Sequence, residues 1–173
     1  MITSYEGLLE RLVTGQVKFA LAGGLAVCLN GFIRTTVDVD IVVDNSPENV
    51  ARLSQCLAEF GEGHGRDLTP SDLTNEPGAV RIVEDFDLDI FVQMSGKTLA
   101  EFAPFIGYHP LKSGVQVPYL KAAALIETKT GSVRDKDRSD IGALRDIARA
   151  NIAAAPLPSD FSLDSVRTES EAE

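Results

Sequence analysis

Little in this chain points to a membrane, a secretory route or a disulfide framework. No apolar run reaches the roughly 20 residues that a bilayer span needs. Met1–Glu6 has neither the basic start nor the apolar core of a secretion signal, so a cytoplasmic location without membrane contact is expected. Cysteine is scarce. Cys28 and Cys56 both sit in apolar helical patterns, where buried free thiols are expected. Positive charge is in deficit, with 16 Lys and Arg against 26 Asp and Glu and a net charge of −10. A large nucleic-acid footprint needs a basic surface, and this balance disfavours one. Neither His64 nor His109 has the spacing of a zinc site or a hydrolase triad, and both read as surface or packing residues. Cys-x-x-Cys, P-loop and internal-repeat patterns are also missing.

What is present suits one globular domain: 173 residues, 44% hydrophobic and 24% charged. The charge is uneven. Residues 121–149 carry seven basic and five acidic side chains, while residues 153–173 carry five acidic side chains against Arg167 alone. From Ala153 the chain turns rich in Ala, Pro, Ser and Glu. The expected division is therefore a domain over 1–152 and a flexible acidic tail over 153–173.

Periodicity predicts the elements. Leu8, Leu9, Leu12 and Val13 mark a helix over 4–14. Lys18–Ala22 reads as a buried strand, Gly23-Gly24 ends it, and a helix over 25–31 follows. Thr35–Val43 reads as the central strand. Ser46-Pro47 then opens a helix, as N-cap and first position, that carries Val50, Leu53, Leu57 and Phe60. Residues 61–78 read as a long loop. Val80–Val83 and Phe86–Val92 are strands around a turn, 97–103 a short helix and Val115–Val117 a short strand. Helices are expected over Pro118–Thr130 and Arg134–Ala150. The implied α/β (α+β) class is a mixed sheet with helices on one face and a helical C-terminal portion.

The most telling stretch joins Gly23-Gly24 to Asp38-Val39-Asp40. Side chains at i and i+2 of a strand share a face, so Asp38 and Asp40 project together. Adjacent carboxylates repel unless a cation neutralises them, and hard oxygen ligands suit magnesium. A double glycine at a strand-to-helix turn allows close backbone approach and offers N–H groups to an anion, although a tight turn would need glycine anyway. Asp87 and Asp89 share a face of a later strand. Asp89 is the preferred third carboxylate because Ile90-Phe91-Val92 follows it as Ile41-Val42-Val43 follows Asp40, and Asp87 is the alternative. By the period of two, Arg34 and Thr36 fall on the face of Asp38 and Asp40. Arg34 can serve a triphosphate or an ion pair equally. Asp137 heads the stripe Ile141, Leu144, Ala148 and needs a partner, for which Lys129 and Arg134 are the candidates; an intrahelical Lys136–Asp140 pair is the plainer arrangement.

The ordered set Gly23-Gly24, Asp38-x-Asp40, Asp87-x-Asp89 resembles the nucleotidyltransferase superfamily that includes DNA polymerase β. Arg34-x-Thr36-x-Asp38 and the segment Lys129–Leu144, with Arg134, Lys136-Asp137 and Asp140, resemble its small bacterial branch of type IV abortive-infection and other toxin–antitoxin nucleotidyltransferases. The resemblance implies the nucleotidyltransferase fold. It also implies Asp38, Asp40 and Asp89 as catalytic metal ligands for two Mg2+ ions, with NTP, ATP included, as substrate. Gly23, Gly24, Arg34, Thr36 and Lys129 would bind the nucleotide. Transfer of NMP to an acceptor hydroxyl, on RNA, protein or a small molecule, would release pyrophosphate. A cognate toxin or antitoxin is an implied partner. The alternative implied by the same resemblance is an antitoxin or regulatory binding protein with little turnover.

Overall fold

The fold grows outward from a short buried strand and the helix started by the glycines that follow it. In the computed structural model, which describes residues 3–150 and 157–169, helix α1 (Tyr5–Thr14) leads into β1 (Phe19–Ala22), α2 (Gly23–Leu29) and β2 (Asp38–Val43). Helix α3 (Pro47–Ala58) precedes the hairpin β3 (Ala79–Val83) and β4 (Asp87–Phe91). A small hairpin, β5 (Gln93–Met94) and β6 (Lys97–Thr98), runs into α4 (Leu99–Phe102). Strands β7 (Ile106–Pro110) and β8 (Gln116–Leu120) then lead to α5 (Ala122–Lys129) and α6 (Asp135–Arg149). The fold is α/β with a mixed sheet and a helical C-terminal portion, as the sequence predicts.

Six strands form one sheet in the order β3-β4-β2-β1-β8-β7. β2 runs antiparallel to β1 and parallel to β4, β3 and β4 are antiparallel, and β7 and β8 are antiparallel. Paired residues share a face, so Leu21, Val39, Ile41, Leu88 and Ile90 lie together on one side and are all buried. The other side carries Asp38, Asp40, Asp87 and Asp89, with Ala20, Ala22 and Val42 buried beyond the carboxylates. Two buried asparagines tie elements together. Asn49 of α3 accepts from the Lys18 amide and donates to the Lys18 and Asp44 carbonyls. Asn30, just past α2, donates to Ala26 and Leu120.

Several boundaries differ from expectation for identifiable reasons. The helix after β1 begins at Gly23 itself. The central strand begins only at Asp38; Thr36 instead forms a separate parallel bridge with Arg167. Ser46 caps α3 by position, but its hydroxyl donates to Asp44. Pro118 lies inside β8, and the helix waits until Ala122. β1 reaches β8 only through the register pair Leu21–Tyr119, so the missing Pro118 N–H breaks no long ladder. β7 carried no strong sequence pattern, being Ile-Gly-Tyr-His-Pro. The loop 61–78 contains a 3-10 turn at His64–Asp67, anchored where the Glu62 and His64 amides donate to Glu84.

The largest correction concerns the expected flexible tail. Residues 157–169 lie against the body as a strap, with Leu163 and Val166 buried. The segment makes a 3-10 turn at Leu163–Val166. Asp164 accepts the first amides of α1, from Tyr5 at 2.6 Å and Glu6 at 3.4 Å, and Ser4 takes that of Gly7. Helix-start donors left over by the ladder are thus satisfied from far along the chain. Glu6 returns the contact, accepting from the Ser162 hydroxyl and the Leu163 amide. Residues 153–156 and 170–173 of that expected tail lie outside the described residues. Both cysteines are buried free thiols.

Candidate active site

The parallel register of β2 and β4 sets Asp38 opposite Asp87 and Asp40 opposite Asp89, all on one face. Carboxylate oxygens of Asp38, Asp40 and Asp89 come within 4.8 Å of one another. Asp87 is not in that group; it turns to Arg81, which donates to it at 2.9 Å. Burial first, and then the charges of Asp38 and Asp89, push the Asp40 carboxyl up to about 7. Three carboxylates at this separation are short of positive charge, which a divalent cation would supply.

The glycine turn is shaped around these carboxylates. Gly23 has a φ of +56°, and a Cβ there would fall 1.9 Å from an Asp40 carboxylate oxygen. A Cβ on Gly24 would fall 2.8 Å from the Thr36 hydroxyl and 3.0 Å from Arg34 Nη1. The close approach alone explains both glycines. Gly23→Ala is expected to cost about 2 kcal/mol in urea unfolding, from left-handed backbone plus displacement of Asp40. Gly96→Ala is the control, since its φ is +76° and nothing lies within 4 Å. Equal costs for the two would show that the Asp40 contact contributes nothing.

Thr36 is buried and donates to Asp38 at 3.1 Å, while Tyr5 donates to the Thr36 carbonyl at 3.2 Å. Arg34 forms a two-pronged pair with Asp140 of α6, both contacts at 2.7 Å. Lys129 ends α5 and is buried between Asp137 at 2.7 Å and Asp140 at 3.0 Å. Arg134 adds a third cation, donating to Asp137 at 2.8 Å. Burial would raise Asp137 and Asp140. The hydrogen bonds from Lys129, Ser132 and Arg134 hold Asp137 below the usual carboxylate range, and those from Arg34 and Lys129 do the same for Asp140. The alternative, an intrahelical Lys136–Asp140 pair, gives way to this buried network. Leaving one of its charges unpaired would cost about 3–5 kcal/mol.

Gly23, Gly24, Arg34, Asp38, Asp40, Asp89, Lys129, Arg134, Lys136 and Asp137, all singled out from the sequence, border one cleft of about 250 Å³ that also takes in Arg81, whereas Asp87, Asp140 and Thr36 do not line it. Thr36 reaches it through Asp38. Arg81 was missed. Its signal was its place in the hairpin, directly opposite Asp89. Lys136 lines the cleft and makes no ion pair among the described residues.

No family model matches the chain, and no curated protein does. Among solved structures, it is similar to a protein from Thermotoga maritima described as a "putative nucleotidyltransferase", with 14% identity, 84% of this chain and 85% of that chain covered, and a TM-score of 0.45.

Proposed function

We propose that this chain is a magnesium-dependent nucleotidyltransferase that moves NMP from an NTP to an acceptor hydroxyl and releases pyrophosphate. The observation that carries the reading is the convergence of Asp38, Asp40 and Asp89 within 4.8 Å in a cleft bordered by cations. The donor set fits the ion: hard carboxylate oxygens, with Asp40 pushed up to about 7 by burial and by the charges of Asp38 and Asp89. Asp38, Asp40 and Asp89 would hold two Mg2+ ions, which when bound supply the charge that a triphosphate and its leaving group need. The resemblance to polymerase-β-like transferases supports the same assignment.

The remaining roles belong to side chains and backbone. Lys136 and the Gly23-Gly24 turn meet the triphosphate, and Arg34 and Lys129, fixed by Asp137 and Asp140, present fixed positive charge to it. Thr36 positions Asp38. The acceptor oxygen forms a bond to the α-phosphorus, the bond to the β-phosphate oxygen breaks, and the hydroxyl proton passes to a site carboxylate. ATP is one candidate donor, and RNA and protein are the proposed acceptors. A place in a toxin–antitoxin pair rests on the sequence resemblance alone.

Magnesium and NTP together are expected to stabilise the protein more than either alone, by about 2.7 kcal/mol at 100 times the dissociation constant. Thermal shift with each NTP, with and without Mg2+, measures this. A flat response at millimolar NTP would remove the reading. Incubation with α-labelled NTP and lysate then identifies the acceptor by where the label lands.

A further inference from the structure

The cleft already contains a cation placed on the third carboxylate. Arg81 Nε donates to one oxygen of Asp89 at 2.7 Å and Nη2 to the other at 2.7 Å, while Nη1 reaches Asp87 at 2.9 Å. This fork uses both oxygens of Asp89 and is the strongest geometry that a carboxylate and a side chain make. The backbone fixes it, because Arg81 stands directly opposite Asp89 across the β3–β4 ladder. The guanidinium is nonetheless free to leave. β3 is the edge strand, and the Arg81 side chain is 52% exposed. Among the described residues Asp38 and Asp40 have no such partner; the only side chain there bonded to either is the Thr36 hydroxyl, on Asp38.

We infer that Arg81 is a built-in counter-cation that holds Asp89 in the nucleotide-free protein. That state then takes one divalent ion on Asp38 and Asp40, and the second ion enters only as Arg81 leaves Asp89 for the triphosphate. The charges are consistent with this. Three carboxylates and one guanidinium leave two negative charges, which one divalent ion matches. A second ion beside Arg81 would leave an excess of positive charge in a partly buried cleft, and a polyanionic triphosphate removes that excess. Arg81 is thus a positioning residue that makes full metal loading depend on nucleotide, and it limits idle occupancy by free metal. The part of the inference that involves nucleotide rests on the transferase reading; the competition between Arg81 and metal does not.

The test uses Mn2+ alone with the full chain, counting bound ions by electron paramagnetic resonance and measuring affinity by calorimetry. The wild type is expected to bind one ion per chain. Arg81→Gln is expected to bind two and to tighten overall affinity ~10-fold or more, because Asp89 is freed to serve as a metal ligand. Arg81→Lys, which keeps the charge without the fork, is expected to lie between them. In an Asp89→Asn background, Arg81→Gln is expected to add nothing. An Arg81→Gln protein that melts normally and binds Mn2+ no more tightly than the wild type would overturn the inference. So would equal tightening in the Asp89→Asn background. If the metal contrast holds but no NTP produces transfer or a thermal shift, the transferase reading fails and the Arg81 competition stands.

Discussion

Asp40→Asn is expected to cut nucleotidyl transfer by at least about 10³-fold, and at the same time to stabilise the metal-free protein. The first effect follows from the loss of a ligand in the carboxylate cluster, and the second from an Asp40 pushed up to about 7 from an ordinary value of 3.8 by burial and by Asp38 and Asp89. A group whose folded pKa is raised contributes stability that is complete below its unfolded pKa and is lost as pH rises through the folded one. Metal-free wild type should therefore lose stability between about pH 4 and pH 7, at about 1.4 kcal/mol for each unit of displacement. The Asn variant carries no such charge. Its advantage should be near zero at pH 4 and on the order of 4 kcal/mol at pH 8. Magnesium should reverse the ranking at pH 8, because the ion binds the deprotonated carboxylates. Urea unfolding at both pH values, in chelator and in Mg2+, measures each part. Parallel pH slopes for the two proteins would mean that Asp40 is not under this electrostatic load.

Ending the chain after residue 156 is expected to cost on the order of 5 kcal/mol, a large share of a single domain's stability. The removed strap buries Leu163 and Val166, packs Leu157 and Phe161 against the core, and satisfies the first amides of α1 through Asp164. It also removes Arg167, whose guanidinium donates to the Thr3 and Asp85 carbonyls and lies 5.6 Å and 5.2 Å from the rings of Tyr5 and Phe86. The Leu163→Ala, Val166→Ala double variant should show much of the same loss without shortening the chain, at roughly 2–5 kcal/mol for the leucine alone. A truncated protein melting within a degree or two of the full chain would show that the strap rests on the surface without supporting it.

The placement of the candidate site residues was more legible in the sequence than that of their surroundings. Asp38, Asp40 and Asp89 were legible because strand alternation fixes which side chains share a face, and an apolar run after each pair marks the strand. Gly23 and Gly24 were legible as a close approach, although only coordinates reveal that the approaching group is Asp40. Lys129 with Asp137 was legible as a charge on an apolar stripe that needed a partner. Arg34 with Asp140 was half legible: an ion pair to some Asp was foreseeable, but 106 residues separate the partners, and no local period encodes such a pairing. Arg81 was not read as part of the site, although the hairpin that sets it opposite Asp89, eight residues on, was the available signal. The strap was hidden. Its apolar residues, Leu157, Phe161, Leu163 and Val166, follow neither a period of two nor one of 3.6, and its composition is that of a linker.

The bridge between Thr36 and the strap bears on when the protein becomes competent during synthesis. The Thr36 amide donates to Val166, and its carbonyl accepts from Thr168. Thr36 is also the residue whose hydroxyl holds Asp38. The three clustered carboxylates are all translated by residue 89, yet this support is supplied by residues 166–168. A nascent chain still threaded through the ribosome up to residue 156 has its sheet residues outside but lacks the segment that fixes Thr36. Contacts this distant in sequence form late. The ordered Asp38–Asp40 edge is therefore completed only once residues 166–168 have been made, long after the carboxylates themselves.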